Sequence, residues 1–106
     1  MAQTENEINR NVSIDVGTDN TVLCDTRNTL VNRRIFFSII NISTAGQEIS
    51  ISVSDEAGAN KGIVLDVGGS YVESRDSNFE PTNNRICAVS SAASGKVAVC
   101  ERLQVL

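Results

Sequence analysis

The sequence predicts an all-β domain, a single antiparallel β-sandwich or jelly-roll-like barrel of about eight short strands with a flexible N-terminal arm. Three observations predict it. Apolar and polar residues alternate with a period of two, most clearly in Ile49-Ser50-Ile51-Ser52-Val53-Ser54. Clusters of Gly, Asn, Asp and Ser interrupt the apolar runs at intervals of roughly 8 to 12 residues, the turn spacing of sandwiches and barrels. No segment sustains a helical period.

The 106 residues amount to one domain, with residues 1–10 expected as a flexible arm and 11–106 as the β-sandwich. The arm is polar, and Ile8 is its apolar anchor. Residues 11–16 form the first expected strand, with Val12, Ile14 and Val16 on one side, and Gly17-Thr18-Asp19-Asn20 closes it as a turn. Residues 21–24 are a short second strand, followed by a loop over 25–32 dense in Asn, Asp and Thr.

The longest expected strand covers 33–43, with Phe36, Ile40 and Ile42 on one face and Ile35, Phe37 and Ile39 on the other. A strand apolar on both faces needs a cover beyond its partner sheet, either a loop or another copy of the chain. Helix is the competing assignment for this run, and its β-branched content favours the strand. Thr44-Ala45-Gly46-Gln47 is expected as a hairpin loop leading to the strand at 48–54.

A turn or brief helical piece follows at 55–61. Residues 62–67 and 70–74 form the next expected hairpin around Gly68-Gly69, and 76–84 is the longest loop, holding the single proline, Pro81. Residues 86–90 and 96–102 make a last hairpin, with 103–106 extending its strand or ending as a tail. If Ala92-Ala93-Ser94-Gly95 forms its loop, Cys87 falls opposite Cys100, and a cross-strand disulfide forms where conditions oxidise. Free, partly buried thiols are the alternative for the odd count of three cysteines.

Thirteen acidic against nine basic residues give a net charge of −4, which opposes non-specific attraction to nucleic acid or anionic lipid. The basic residues are scattered and not interleaved with aromatics, so no nucleic-acid partner is expected. Residues 1–7 lack the basic and apolar regions of a signal peptide, and no apolar run approaches the roughly 20 residues of a membrane span. Synthesis in the cytoplasm without membrane insertion is the expectation.

Motifs for chemistry are weak. Histidine is absent, removing the commonest general base and metal ligand. Gly68-Gly69-Ser70-Tyr71-Val72 lacks the closing glycine of a nucleophile elbow. The acidic run beginning at Asp76 starts like a calcium loop but puts Pro81 where the invariant glycine belongs and Cys87 where the bidentate glutamate belongs. The cysteines lack a paired zinc-knuckle spacing. No catalytic residue, cofactor or metal ligand is therefore assigned.

The run Arg33-Arg34-Ile35-Phe36-Phe37-Ser38-Ile39-Ile40-Asn41-Ile42-Ser43, the Ile49-Ile51-Val53 strand, Gly62-Ile63-Val64-Leu65 with Gly68-Gly69-Ser70-Tyr71, and Ile86-Cys87-Ala88-Val89-Ser90 with Lys96-Val97-Ala98-Val99 together resemble small virion proteins of tailed bacteriophages. The similarity spans about residues 33–102. It implies a non-enzymatic capsid decoration or cement subunit, or a head-appendage protein, located in the virion. The implied partners are the major capsid protein or another virion protein, with a homotrimer as the expected oligomer.

In that role Ile35, Phe37 and Ile39 would be covered by neighbouring copies, and the arm anchored by Ile8 and Val12 would order on the shell. Arg10, Arg33 and Arg34 would meet acidic surfaces of the partner, the alternative for each being a solvated strand edge. A receptor- or glycan-binding module of a virion appendage is the second expectation.

Overall fold

The computed structural model of the chain describes residues 6–76 and 79–105. Eight strands form two four-stranded antiparallel sheets: β1 (Glu7–Val16), β2 (Thr21–Cys24), β3 (Asn32–Asn41), β4 (Ile49–Val53), β5 (Ile63–Leu65), β6 (Ser70–Ser74), β7 (Ile86–Ser90) and β8 (Gly95–Val105). One sheet has the order β1-β8-β3-β6 and the other β2-β7-β4-β5. First pairs with last, second with seventh, third with sixth and fourth with fifth, which is the jelly-roll arrangement.

This topology corrects three expected hairpins. The chain passes from one sheet to the other at 42–48, at 66–69 and at 91–94, so β3–β4, β5–β6 and β7–β8 are not hydrogen-bonded neighbours. Only β4 and β5 pair as consecutive strands. Cys87 consequently lies in one sheet beside Val22 and Ser52, and Cys100 in the other beside Asn11 and Ser38, so the disulfide between them does not form. All three cysteines are free.

The expected flexible arm is also shorter. Glu7–Arg10 are the first residues of β1, paired with Gln104–Glu101 of β8. Ile8 and Arg10 keep the alternation of Val12, Ile14 and Val16, which lets the strand continue past the predicted boundary. Residues 1–5 of that arm lie outside the described residues.

The core lies between the sheets, where Val16, Phe37, Ile39, Val97 and Val99 meet Leu23, Ile49, Ile51, Ile86 and Ala88. The Phe37 and Tyr71 rings pack tilted, with centroids 5.8 Å apart. The 54–62 loop straps the outer face of the β2-β7-β4-β5 sheet. It is held there by Ala57 N–H donating to Asn20 Oδ1 and Asn60 N–H donating to Ser50 Oγ. Ser50, Cys87 and Val89 are therefore buried on what would otherwise be a wet face. No helix among the described residues is long and apolar enough to cross a membrane.

At the end where β3 stops and β8 starts, two buried amides tie the crossings. Asn41 Nδ2 donates to the Gln47 and Leu65 carbonyls while its Oδ1 accepts from Ser43 N–H. Gln47 Nε2 donates to the carbonyls of Ala93 and Ser94. Each crossing segment thus fulfils its backbone groups through a side chain from another segment.

Two glycines separate conformational from steric demand. Gly46 and Gly62 have φ of 77° and 75°, but a Cβ at Gly46 meets open space whereas one at Gly62 collides with the Ile51 carbonyl oxygen. Gly46→Ala should cost about 1–2 kcal/mol from backbone conformation alone. Gly62→Ala should cost more, because β4 must also shift. Urea unfolding of both variants checks the order, and equal losses would refute the steric part.

Candidate interaction surfaces

The register of β3 against β8 slips by one residue: Arg34 faces Leu103 but Phe36 faces Arg102, leaving Ile35 as a bulge. The bulge reverses the phase of alternation, so Arg34 and Phe37, three residues apart, both point between the sheets. Both are completely buried, as is Glu101 on the neighbouring strand.

Glu101 receives three guanidiniums. Arg34 Nε donates to its Oε2 at 2.7 Å, Arg27 donates from Nε at 3.1 Å and Nη2 at 2.6 Å, and Arg10 Nη1 donates to Oε1 at 3.1 Å. The remaining Arg34 donors reach the carbonyls of Asp25, Thr82 and Asn84 at 2.8, 2.5 and 3.0 Å. Arg10 also donates to the Leu23 carbonyl, and the Arg34 guanidinium lies 5.7 Å from the centre of the Phe37 ring. The cluster is a clamp that fastens the 25–31 and 80–85 loops to β1, β3 and β8.

Burial alone would raise the Glu101 carboxyl, but hydrogen bonds from Arg27 and Arg34 and their charge outweigh it and hold the group below the usual carboxylate range. The bond to Glu101 holds Arg27 above the usual guanidinium value. Burial, and then the Glu101 charge, push the Cys24 thiol up to about 11, so it stays protonated at neutral pH and is no nucleophile. Tyr71 donates to Glu73 Oε2, and that bond followed by burial raises its hydroxyl to about 12. No group of three or more His, Cys, Asp or Glu residues among the described residues converges as a metal site.

The residues singled out in the sequence fall into three environments. Phe37 and Ile39 are interior, covered by the chain's own second sheet and not by neighbouring copies, and Arg34 is interior as well, bonded to Glu101 and loop carbonyls instead of the expected acidic partner surface. Val12 packs partly buried against the core, Ile35 is half-buried at the bulge, and Arg10 belongs to the clamp. Ile8 is half-exposed, facing the same side as Leu103, and Arg33 stands 3.8 Å from Glu80 at the surface.

Other exposed features carried less signal in the sequence. Among the described residues, no loop straps the outer face of the β1-β8-β3-β6 sheet. Ile40 and Val72 flank the small residues Ser38, Ala98, Cys100 and Ser13, which leave a shallow groove of about 360 Å³. Leu30 and Val31 stand out at the tip of the 28–31 turn, an apolar pair inside an otherwise polar loop. Among the described residues, strand β1 is a ten-residue edge paired on β8 alone; it has no proline, lysine or bulge, and its charges are Glu7, Arg10 and Asp15.

No protein-family model matches this chain, and no curated protein sequence does. Among solved structures, the chain is similar to one from a study of Bacillus endospore appendages described as a novel family of disulfide-linked pili. The two are 14% identical with a TM-score of 0.58, over 98% of this chain and 92% of that one. A second similarity, at 12% identity and a TM-score of 0.47 over 96% and 94% of the two chains, is to the acidic-stable capsid of Helicobacter pylori bacteriophage KHP30. At these identities the first likeness shows a shared fold, and the second carries no argument.

Glu101→Gln should destabilise the domain by about 3 kcal/mol, because the buried Arg34 loses its counter-charge. The Glu101 carboxyl is depressed on folding, so its contribution is present above the unfolded value of about 4.3 and lost as pH falls through the folded one. Urea unfolding at neutral and acidic pH should therefore show a smaller acid-induced loss in the variant than in the wild type. Equal acid losses would remove Glu101 from the acid response.

The thiols give a separate test of the topology. Cys24 and Cys87 are buried and Cys100 is half-exposed on the bare sheet face. Maleimide should add once to the native protein, at Cys100, and three times after unfolding. Fast native labelling of Cys87 would contradict the strap over its sheet.

Proposed function

We propose that this chain is a non-catalytic structural subunit of a virion or an extracellular appendage, held in its assembly by protein–protein contacts. The observation that carries the reading is the long open edge of β1. A flat edge of this length is a template for pairing with another chain, and β1 lacks the proline, lysine and bulges that commonly blunt such edges, its charges being Glu7, Arg10 and Asp15. The bare outer face of the same sheet, with Ile40 and Val72, adjoins it and adds apolar area to the contact.

The resemblance to small virion proteins supports the finer form of this reading, a capsid decoration or cement subunit seated on the shell as a trimer beside the major capsid protein. A pilus-like filament is the second form, favoured by the jelly roll shared over nearly the whole chain with a structure from the work on disulfide-linked pili. In that form Cys100 is the thiol with access to a neighbour, since Cys24 and Cys87 are enclosed.

Purified protein separates these forms. A decoration subunit binds assembled phage shells and raises their disruption temperature, whereas a filament subunit forms filaments by itself under negative-stain microscopy. A chain that stays monomeric at all concentrations and binds no shell would overturn the assembly reading. The Asn9→Lys, Asn11→Lys variant, altered only at exposed positions of β1, should melt within about 0.5 kcal/mol of the wild type. Its association, followed by sedimentation, should weaken at least about tenfold.

A further inference from the structure

Charge is distributed unevenly along the long axis of the molecule, which measures 49 Å against 24 and 22 Å across. At the end where β1 and β3 stop and β4 and β8 begin, Asp15, Asp19, Glu48 and Asp66 are accompanied by a single base, Lys96. Four acids and one lysine leave this end with a net charge of −3. It also holds an open cleft of about 410 Å³ lined by Asp15, Ile42, Ser43, Thr44, Ser94 and Lys96. Asp15 stands out into solvent, 3.8 Å from Lys96, and Ile42 is exposed at the cleft floor.

The opposite end has the complementary character. The 28–31 turn carries Leu30 at 87% exposure and Val31 at 54%, the most exposed large apolar side chains among the described residues. The turn is ordered: Leu30 N–H donates to Asn28 Oδ1, and Val31 and Asn32 N–H donate to the Asn28 carbonyl. Immediately before it, Arg27 joins Arg10 and Arg34 in the clamp. Three guanidiniums against Glu101 and Asp25 leave one surplus positive charge beside the apolar tip, while Glu7, Glu73, Asp76 and Glu80 at the same end are balanced by Arg33, Arg75, Arg85 and Arg102. Arg10 and Arg27 keep 34% and 20% of their side chains in solvent.

We propose that this tip seats in the cleft of a second copy of the chain. Leu30 and Val31 pack against Ile42, and Arg27 and Arg10 face Asp15 and Asp19 of the neighbour. An ordered apolar knob gains nothing for the isolated fold, and neither does a concentration of acids around a cleft, whereas the two are opposite in sign of charge and both offer apolar side chains, Leu30 and Val31 at the tip and Ile42 in the cleft. Because tip and cleft lie at opposite ends of one subunit, the contact is heterologous and joins subunits head to tail, with a repeat that does not exceed the 49 Å length. The attraction between the ends weakens as salt is raised. The inference rests on the assembly reading above and adds to lateral pairing at β1 a distinct axial contact.

The test uses two interface variants in the edge-blocked Asn9→Lys, Asn11→Lys background, at raised protein concentration and low salt. Leu30→Asp removes the tip and keeps the cleft, while Asp15→Lys, Ile42→Lys removes the cleft and keeps the tip. Sedimentation velocity should show the parent forming a concentration-dependent series, each variant alone as a monomer, and an equimolar mixture as a 1:1 dimer with nothing larger. Circular-dichroism melts verify folding, and Leu30→Ser replaces the aspartate if the melt falls. A mixture that stays monomeric, or either variant associating like the parent, overturns the axial contact. If the chain with an intact β1 edge still assembles in that case, the assembly reading stands without it.

Discussion

A carboxylate withdrawn completely from water costs several kcal/mol unless opposite charge and hydrogen bonds replace its solvation, and one end of this sandwich is organised around meeting that cost for Glu101. Arg34 meets most of it from inside the sandwich, and Arg10 and Arg27 complete it from the rim. The same guanidinium of Arg34 fulfils carbonyls of the 25–31 and 80–85 loops, so loops that would otherwise lie free over the sheet end are fixed by a buried side chain. The 28–31 turn inherits its position from this clamp. A change at Glu101 would therefore loosen both the sandwich end and the apolar tip it presents.

The two sheets are covered unequally, and this asymmetry directs association. In the β2-β7-β4-β5 sheet the chain supplies its own cover, the 54–62 loop, which fulfils Ser50 Oγ and encloses Cys87 and Val89. Among the described residues, the other sheet has no such cover on its outer face, and β1 is its edge. Sheets exposed on one face are common, but that exposure coincides here with a long unblunted edge, and the combination invites a neighbour. The buried amides Asn41 and Gln47 do for the opposite end what the clamp does at the first, fixing crossings between the sheets by side-chain bonds to backbone carbonyls.

Much of the strand inventory was legible in the residues. The alternation in β1 and β4, the apolar run of β7, and the turns at 17–20 and at Gly68-Gly69 come from local pattern alone, because period two and turn chemistry are properties of short segments. Arg10, Arg33 and Arg34 stood out in the sequence as groups meeting a partner's acidic surface. The partner of Arg10 and Arg34 within the chain, Glu101, sits 67 positions from Arg34, and no local pattern joins them. Arg27 was passed over for the same reason. The Leu30–Val31 pair was visible only as two apolar letters in a polar loop, with nothing to say that the turn would project.

The sequence by itself determined an all-β chain of about eight strands that lacks histidine, since composition and alternation are local and additive. Which strands pair was decided by the tertiary structure. Short loops between alternating strands serve a hairpin and a sheet-to-sheet crossing equally well, and only the closing of both sheets over one core selects the jelly roll. The bulge at Ile35 is the sharpest case. A one-residue slip in register lets Arg34 share the interior with Phe37 and Ile39, which strict alternation would place on the face opposite to it, because in a strand every side chain's face depends on the phase of the backbone that precedes it.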